Sequence, residues 1–203
     1  LRQERLKLLV AYSTIAQIGY LFLMFPLAFD AAGTVLAHGA VMDAGVLQAI
    51  SHATAKAGMF MAAGLIYASL GHDRIAGLAG VARAMPITVL AFALAGLALM
   101  GVLPSGAYLA KKLMLGAADD SGQWWWTIVL QGGAAFTAGY MVLVLASVFR
   151  RPAEPVVLVK RVSKLSEAAA LLLAVCSLLL AFTARGPIPG NLISNPLAVK
   201  ELL

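Results

Sequence analysis

The chain of 203 residues is 62% hydrophobic and 12% charged, with a mean hydropathy of +0.91. An ordinary soluble domain is roughly half apolar and a quarter charged, so this much apolar surface cannot be hidden in one core and lipid is the expected solvent. The net charge of +6 falls in short clusters between apolar runs, with no interleaved aromatic platform, which argues against a nucleic-acid surface. Cys176 is the only cysteine, which excludes an internal disulfide and a cysteine metal cluster.

The chain opens at Leu1, which suggests a fragment or a processed piece. The first apolar run exceeds a signal-peptide core, and no small-residue cleavage site follows it. A membrane helix needs about 20 apolar residues. Such runs cover 9–29, 46–70 and 86–103. Pro104 then interrupts the pattern, and a short apolar piece follows over 106–118. A polar break, "DDSGQ", occupies 119–123, and "WWW" at Trp124 to Trp126 opens a run to 149. The last span is 165–183, followed by a Pro- and Gly-rich loop over 185–196. The runs are too long for soluble strands and lack alternation, so helices are predicted. The expected fold is all-α and polytopic, with about five spans.

Loop charge predicts the topology. Arg2, Arg5 and Lys7 precede the first span, and residues 30–45 hold no Lys or Arg. Arg74 and Arg83 follow the second span, and Arg150, Arg151, Lys160, Arg161 and Lys164 precede the last. The positive-inside rule then puts 1–8, 71–84 and 150–164 in the cytoplasm, provided that 106–149 crosses once. The 106–118 piece is about 20 Å of helix, too short for the roughly 30 Å hydrocarbon core. Residues 106–149 therefore read as one broken helix with a short and a long half. Breaks at membrane depth are tolerated where the freed backbone faces protein or water, and they often mark ion pathways.

His52 and Lys56, in "SHATAKAGMF", lie four residues apart and share a helix face, with Gln48 one turn earlier. Ser51 and Thr54 point elsewhere. Lys56 is too deep to snorkel, and a central charge costs about 2.5–3.5 kcal/mol on insertion scales. A deep lysine beside a histidine can trade a proton through water. The competing reading is a packing pair, with His52 bonding a carbonyl and Lys56 pairing with an acid.

Lys111 and Lys112 follow the Pro104 break; adjacent residues face about 100° apart, so at most one looks into a given path. Both snorkelling to an interface is the alternative. Asp119 and Asp120 read either as proton acceptors at a channel mouth or as a solvated loop capping the next helix. The three tryptophans read as an interfacial belt. His72 and Asp73 read as ordinary loop residues, and His38 lies in the neutral loop; the histidines lack metal-ligand spacing. Ser105 has no acid–histidine partner. "GAAFTAG" and "KAGMFMAAG" read as small-residue packing faces.

Three stretches, in order, carry a resemblance. "LKLLVAYSTIAQIGYLFL" (6–23) resembles the segment written roughly D-x-K-R-L-L-A-Y-S-S/T-I-x-Q/H-x-G-Y in the antiporter-like subunits of respiratory complex I. "SHATAKAGMFMAAG" (51–64) resembles that family's H-x-x-x-K-x-x-L-F-x-x-x-G helix, and "GVLPSGAYLAKKLML" (101–115) its G-x-P-P-x-x-G-F-x-x-K segment. The family includes proton-pumping subunits of complex I, large subunits of Mrp-type sodium/proton antiporters, and membrane subunits of energy-converting hydrogenases. The resemblance implies two inverted five-helix repeats, of which residues 1–150 look like the second. Residues 151–203 would be a basic loop, a terminal membrane helix and a tail. It implies that Lys56 is the central-axis lysine, His52 the histidine before it, and Lys111 the lysine or glutamate of the broken helix.

The match has departures. Gln48 stands where some members carry histidine, Ala110 where glycine is common, and Tyr108 supplies the motif's aromatic. Lys112 leaves two candidates for the path, with the spacing from Gly101 favouring Lys111. The first repeat's glutamate–lysine pair has no counterpart, so this chain alone is not expected to be a complete pump.

The implied function is proton transfer through His52, Lys56 and Lys111, in a redox-driven complex of the NADH:quinone oxidoreductase or hydrogenase type. A sodium/proton antiporter and a structural scaffold are the alternatives. No cofactor or metal site is expected. The expected surroundings are lipid and other membrane subunits, in the cell's inner (plasma) membrane, with protons or sodium ions as cargo.

Overall fold

The computed structural model describes residues 3–29, 39–153 and 155–183. The stretch 30–38 with His38, Arg2 at the start and the loop expected over 185–196 lie outside the described residues. Among the described residues eight α-helices follow in order: α1 Leu6–Phe22, α2 Met24–Ala28, α3 Gly39–Leu70, α4 Val81–Ala84, α5 Pro86–Met100, α6 Gly106–Asp120, α7 Trp125–Phe149 and α8 Lys164–Thr183. Among the described residues the only β pairing is an isolated bridge between Arg5 and Arg74.

Among the described residues four segments are long and apolar enough to cross a membrane: Leu6–Ala28, Gly39–Leu70, Trp125–Phe149 and Lys164–Phe182. Outward positions carry the residues that lipid requires. Ile15 is 67% exposed, Phe136 70% and Val142 63%, which water would penalise and acyl chains would not.

Helix α3 is the axis. Its 32 residues give about 48 Å of helix, and α1, α2, α5, α6 and α8 all pack on it. Small residues let α8 come close: a Cβ added to Gly58 would lie 3.2 Å from the Ala174 backbone nitrogen and 3.3 Å from the Ala170 oxygen. One apolar cluster gathers Ala55, Met59, Ala63 and Ile66 of α3 with Val89, Phe92 and Leu99 of α5. A second gathers Val41, Ala44 and Leu47 of α3 with Leu109, Ala110, Met114 and Ala118 of α6.

The order of those contacts corrects the expectation about the broken helix. Helix α5 runs along the C-terminal half of α3, and α6 continues along its N-terminal half. Two 15-residue helices of about 22 Å each thus follow α3 nearly end to end, as one crossing interrupted between Gly101 and Ser105. The break at Pro104 lies inside this crossing. The "DDSGQ" break is instead a reversal: Lys111 of α6 bonds Gln131 of α7, so the two helices form a hairpin. Both breaks look alike as interruptions of an apolar run, and only their depth in the bundle separates a broken span from a turn. Gly101 closes α5 at φ +74, in the left-handed region where glycine has no Cβ to clash. Ser105 caps α6 by accepting the Tyr108 N–H at 3.1 Å.

The basic segments meet at one end of the bundle. Arg5 bridges Arg74, the Gly80 N–H donates to the Arg150 carbonyl, and the Val159 N–H donates to the Ser69 carbonyl. The start of α1, the end of α3, the start of α5, the end of α7 and the start of α8 therefore share a side. This is the arrangement expected from loop charge. Trp124 and Trp125 lie exposed at the opposite end, where α7 begins.

Candidate functional site: a polar line along the α3 axis

Two i, i+4 pairs face each other across the antiparallel α1–α3 contact. Helix α1 presents Ser13 and Gln17, and α3 presents His52 and Lys56. The Lys56 ammonium donates to the Val10 carbonyl at 3.0 Å and to the Ser13 hydroxyl in a close contact. The next rung joins His52 Nδ1 to Gln17 Oε1 at 2.6 Å. Gln17 Nε2 then donates to Thr137 Oγ1 on α7 at 3.2 Å, and Thr137 donates to the Gly133 carbonyl at 2.9 Å. Gln17, Gln48, His52, Lys56 and Thr137 are all buried.

The partners of Lys56 among the described residues are oxygens of neutral groups, not an acid. A buried ammonium held only by neutral acceptors remains free to give up its charge, whereas a carboxylate would pin the proton. Tyr140 places its buried hydroxyl beside Ser13 without a well-formed hydrogen bond. His52 Nε2 and Ser51 Oγ are buried and have no hydrogen-bond partner among the described residues. Ser51 lies against the break: a Cβ on Gly106 would come within 3.2 Å of it.

A small cavity of ≈ 30 Å³ continues the line toward α6. Gln17, Tyr20, Gln48, Gly101, Lys111 and Thr137 are among its lining residues. The polar groups of α1, α3 and α7 thus share a space with the lysine that follows the helix break. Lys111 donates to Gln131 Oε1 at 3.0 Å and is half-buried, while Lys112, one residue on, is exposed and does not line this cavity.

The remaining predicted residues are elsewhere. Asp119 and Asp120 are exposed in the last turn of α6, and Trp124, not an aspartate, occupies the cap position of α7. Thr54 bonds its own helix at the Ile50 carbonyl. Asp73 is more than a loop residue: it is buried, accepts the Arg5 guanidinium at 3.0 Å, and its carbonyl accepts the Leu6 N–H at 2.8 Å. Sequence reasoning missed Ser13, Gln17, Thr137 and Gln131. A signal for the first two was present, since a hydroxyl and an amide four apart in an apolar span repeat the spacing of His52 and Lys56. It also missed Glu167, buried on α8, which accepts from Thr88 at 2.8 Å and from Lys164 at 3.0 Å. Among the described residues no group of three metal-ligating side chains occurs.

The NADH-quinone oxidoreductase subunit N of Desulforudis audaxviator (strain MP104C) is 36% identical over 110 residues, 54% of this chain and 20% of that protein. Subunit L of Rickettsia typhi (strain ATCC VR-144 / Wilmington) is 30% identical over 147 residues, 72% of this chain and 20% of that protein. A subunit of a probable K(+)/H(+) antiporter of Rhizobium meliloti (strain 1021) is 34% identical over 116 residues, 57% of this chain and 11% of that protein. These matches span a fifth or less of the relatives' own length. In fold, the chain resembles a chain of the Mrp complex from Dietzia sp. DQ12-45-1b, with TM-score 0.75 and 23% identity, covering 91% of this chain and 41% of that one. Residues 1–137 match the family described as "NADH:quinone oxidoreductase/Mrp antiporter, TM", and the chain belongs to that family of membrane subunits.

Proposed function

We propose that this chain moves protons across the cell's inner (plasma) membrane as part of a redox-driven complex of the NADH:quinone oxidoreductase type. In this reading residues 1–150 form the second repeat of a two-repeat antiporter-like fold. Residues 151–203 add a basic loop, a last membrane helix and a tail. One observation carries it: the titratable groups at mid-bundle are joined to neutral relays and, through a polar-lined cavity, to Lys111 at the helix break. Lys56 and His52 hold and pass the proton. Lys111 exchanges it with the side on which α6 ends. Gln48 supports the path as a hydrogen-bond relay. A change of charge on a neighbouring subunit drives loading and release, because each lysine is held by neutral oxygens and not by a carboxylate that would pin its proton. No redox step falls to these residues.

The test is proton movement by the assembled complex carrying Lys56→Ala or Lys111→Ala. Loss of transport with assembly intact supports the reading, and unchanged transport favours a scaffold. The second reading, membership of a cation/proton antiporter, draws on the Rhizobium relative and on the Mrp-like fold. Sodium or potassium dependence of transport in inside-out vesicles separates the two.

A further inference from the structure

The hydrogen-bond chain that ends on His52 has a direction. The Gly133 carbonyl can only accept, so Thr137 spends its single proton there. Thr137 Oγ1 must then accept from Gln17, which makes the amide nitrogen the end that faces Thr137. The carbonyl end of Gln17 therefore faces the imidazole, and His52 Nδ1 must carry a hydrogen to meet it at 2.6 Å. His52 Nε2, buried and without a hydrogen-bond partner among the described residues, is left as the bare nitrogen of the neutral ring.

We infer that the Gln17–Thr137–Gly133 chain locks neutral His52 as the Nδ1–H tautomer, so that it exchanges protons through Nε2 alone. The inference rests on the proposed role of His52 in proton transfer. In the step, Nε2 takes up a proton while Nδ1 keeps its own, and Nε2 later releases the proton it gained. Gln17 and Thr137 are positioning residues, acting through His52.

Nitrogen-15 NMR of the full chain in membranes, labelled in its histidine rings, tests this without any transport measurement. The His52 signals are assigned by their absence in His52→Asn, and spectra are taken at alkaline pH where the ring is neutral. The wild type is expected to show a protonated Nδ1 and a bare Nε2. Thr137→Val removes the hydroxyl at similar volume and frees the amide. It is expected to lower the ratio of Nδ1–H to Nε2–H about fivefold, the equivalent of one net hydrogen bond of about 1 kcal/mol. Thr137→Ser is expected to restore the ratio. A wild type protonated on Nε2 overturns the inference, as does an unchanged ratio in Thr137→Val. If Thr137→Val fails to fold, the wild-type spectrum still decides the tautomer. Unaltered proton movement in His52→Asn would overturn the transport role while leaving the tautomer result standing.

Discussion

Replacing Lys56 by methionine removes the charge and keeps most of the volume. The ammonium is buried near the middle of α3, about 21 Å from its C-terminal end. Holding a charge at such a depth costs about 2.5–3.5 kcal/mol. Against this stand two hydrogen bonds from a charged donor, to Val10 and Ser13, worth about 1.5–3 kcal/mol each. Together the two bonds outweigh the cost by about 1.5 kcal/mol at mid-range. Lys56→Met strands no donor, since the Ser13 hydroxyl already donates to the Val10 carbonyl at 2.9 Å. Lys56→Met is therefore expected to cost about 1–2 kcal/mol of stability, whereas Lys56→Ala would leave a cavity costing about 2–5 kcal/mol. Proton movement is expected to fall at least tenfold, because methionine neither binds nor releases a proton. The assay pairs proton uptake by inside-out vesicles with a native gel for assembly and a thermal melt. Full proton uptake by an intact Lys56→Met complex would refute the reasoning. Lost assembly with an unchanged transport rate per assembled complex would show that Lys56 only packs.

The same vesicles separate the adjacent lysines: Lys111→Ala is expected to cost tenfold or more in proton movement, and Lys112→Ala less than threefold, because Lys111 alone of the two lines the cavity. Asp73→Ala, by removing the buried carboxylate that accepts Arg5, is expected to destabilise the chain by about 1–3 kcal/mol. That loss appears as a lower melting temperature and shrinks as salt is added, because Arg5 is largely exposed and its attraction to Asp73 is screened. Gly58→Leu is expected to force α8 away from α3, at about 1–3 kcal/mol or more, read as a lower melting temperature and weaker protection of α8 amides from exchange.

The membrane class, the helices and the shared face of His52 and Lys56 were legible along the chain. Each depends on composition or on a spacing of a few residues, and local chemistry determines both. The basic end was legible too, because charges that avoid lipid mark loops wherever the chain goes. Four things needed the fold. Pro104 interrupts one crossing whereas "DDSGQ" turns back at the bundle's end, a difference in depth that no local pattern encodes. Lys56 meets Ser13 and Val10, not an acid, because that depends on which face of α1 packs on α3. Lys111 is set apart from Lys112 by the cavity that α1, α3, α6 and α7 enclose together. Asp73, ordinary as a loop residue, is buried against Arg5 by the return of α3 to the start of α1. A sequence states which groups each helix offers, and only packing between distant segments decides which of them meet.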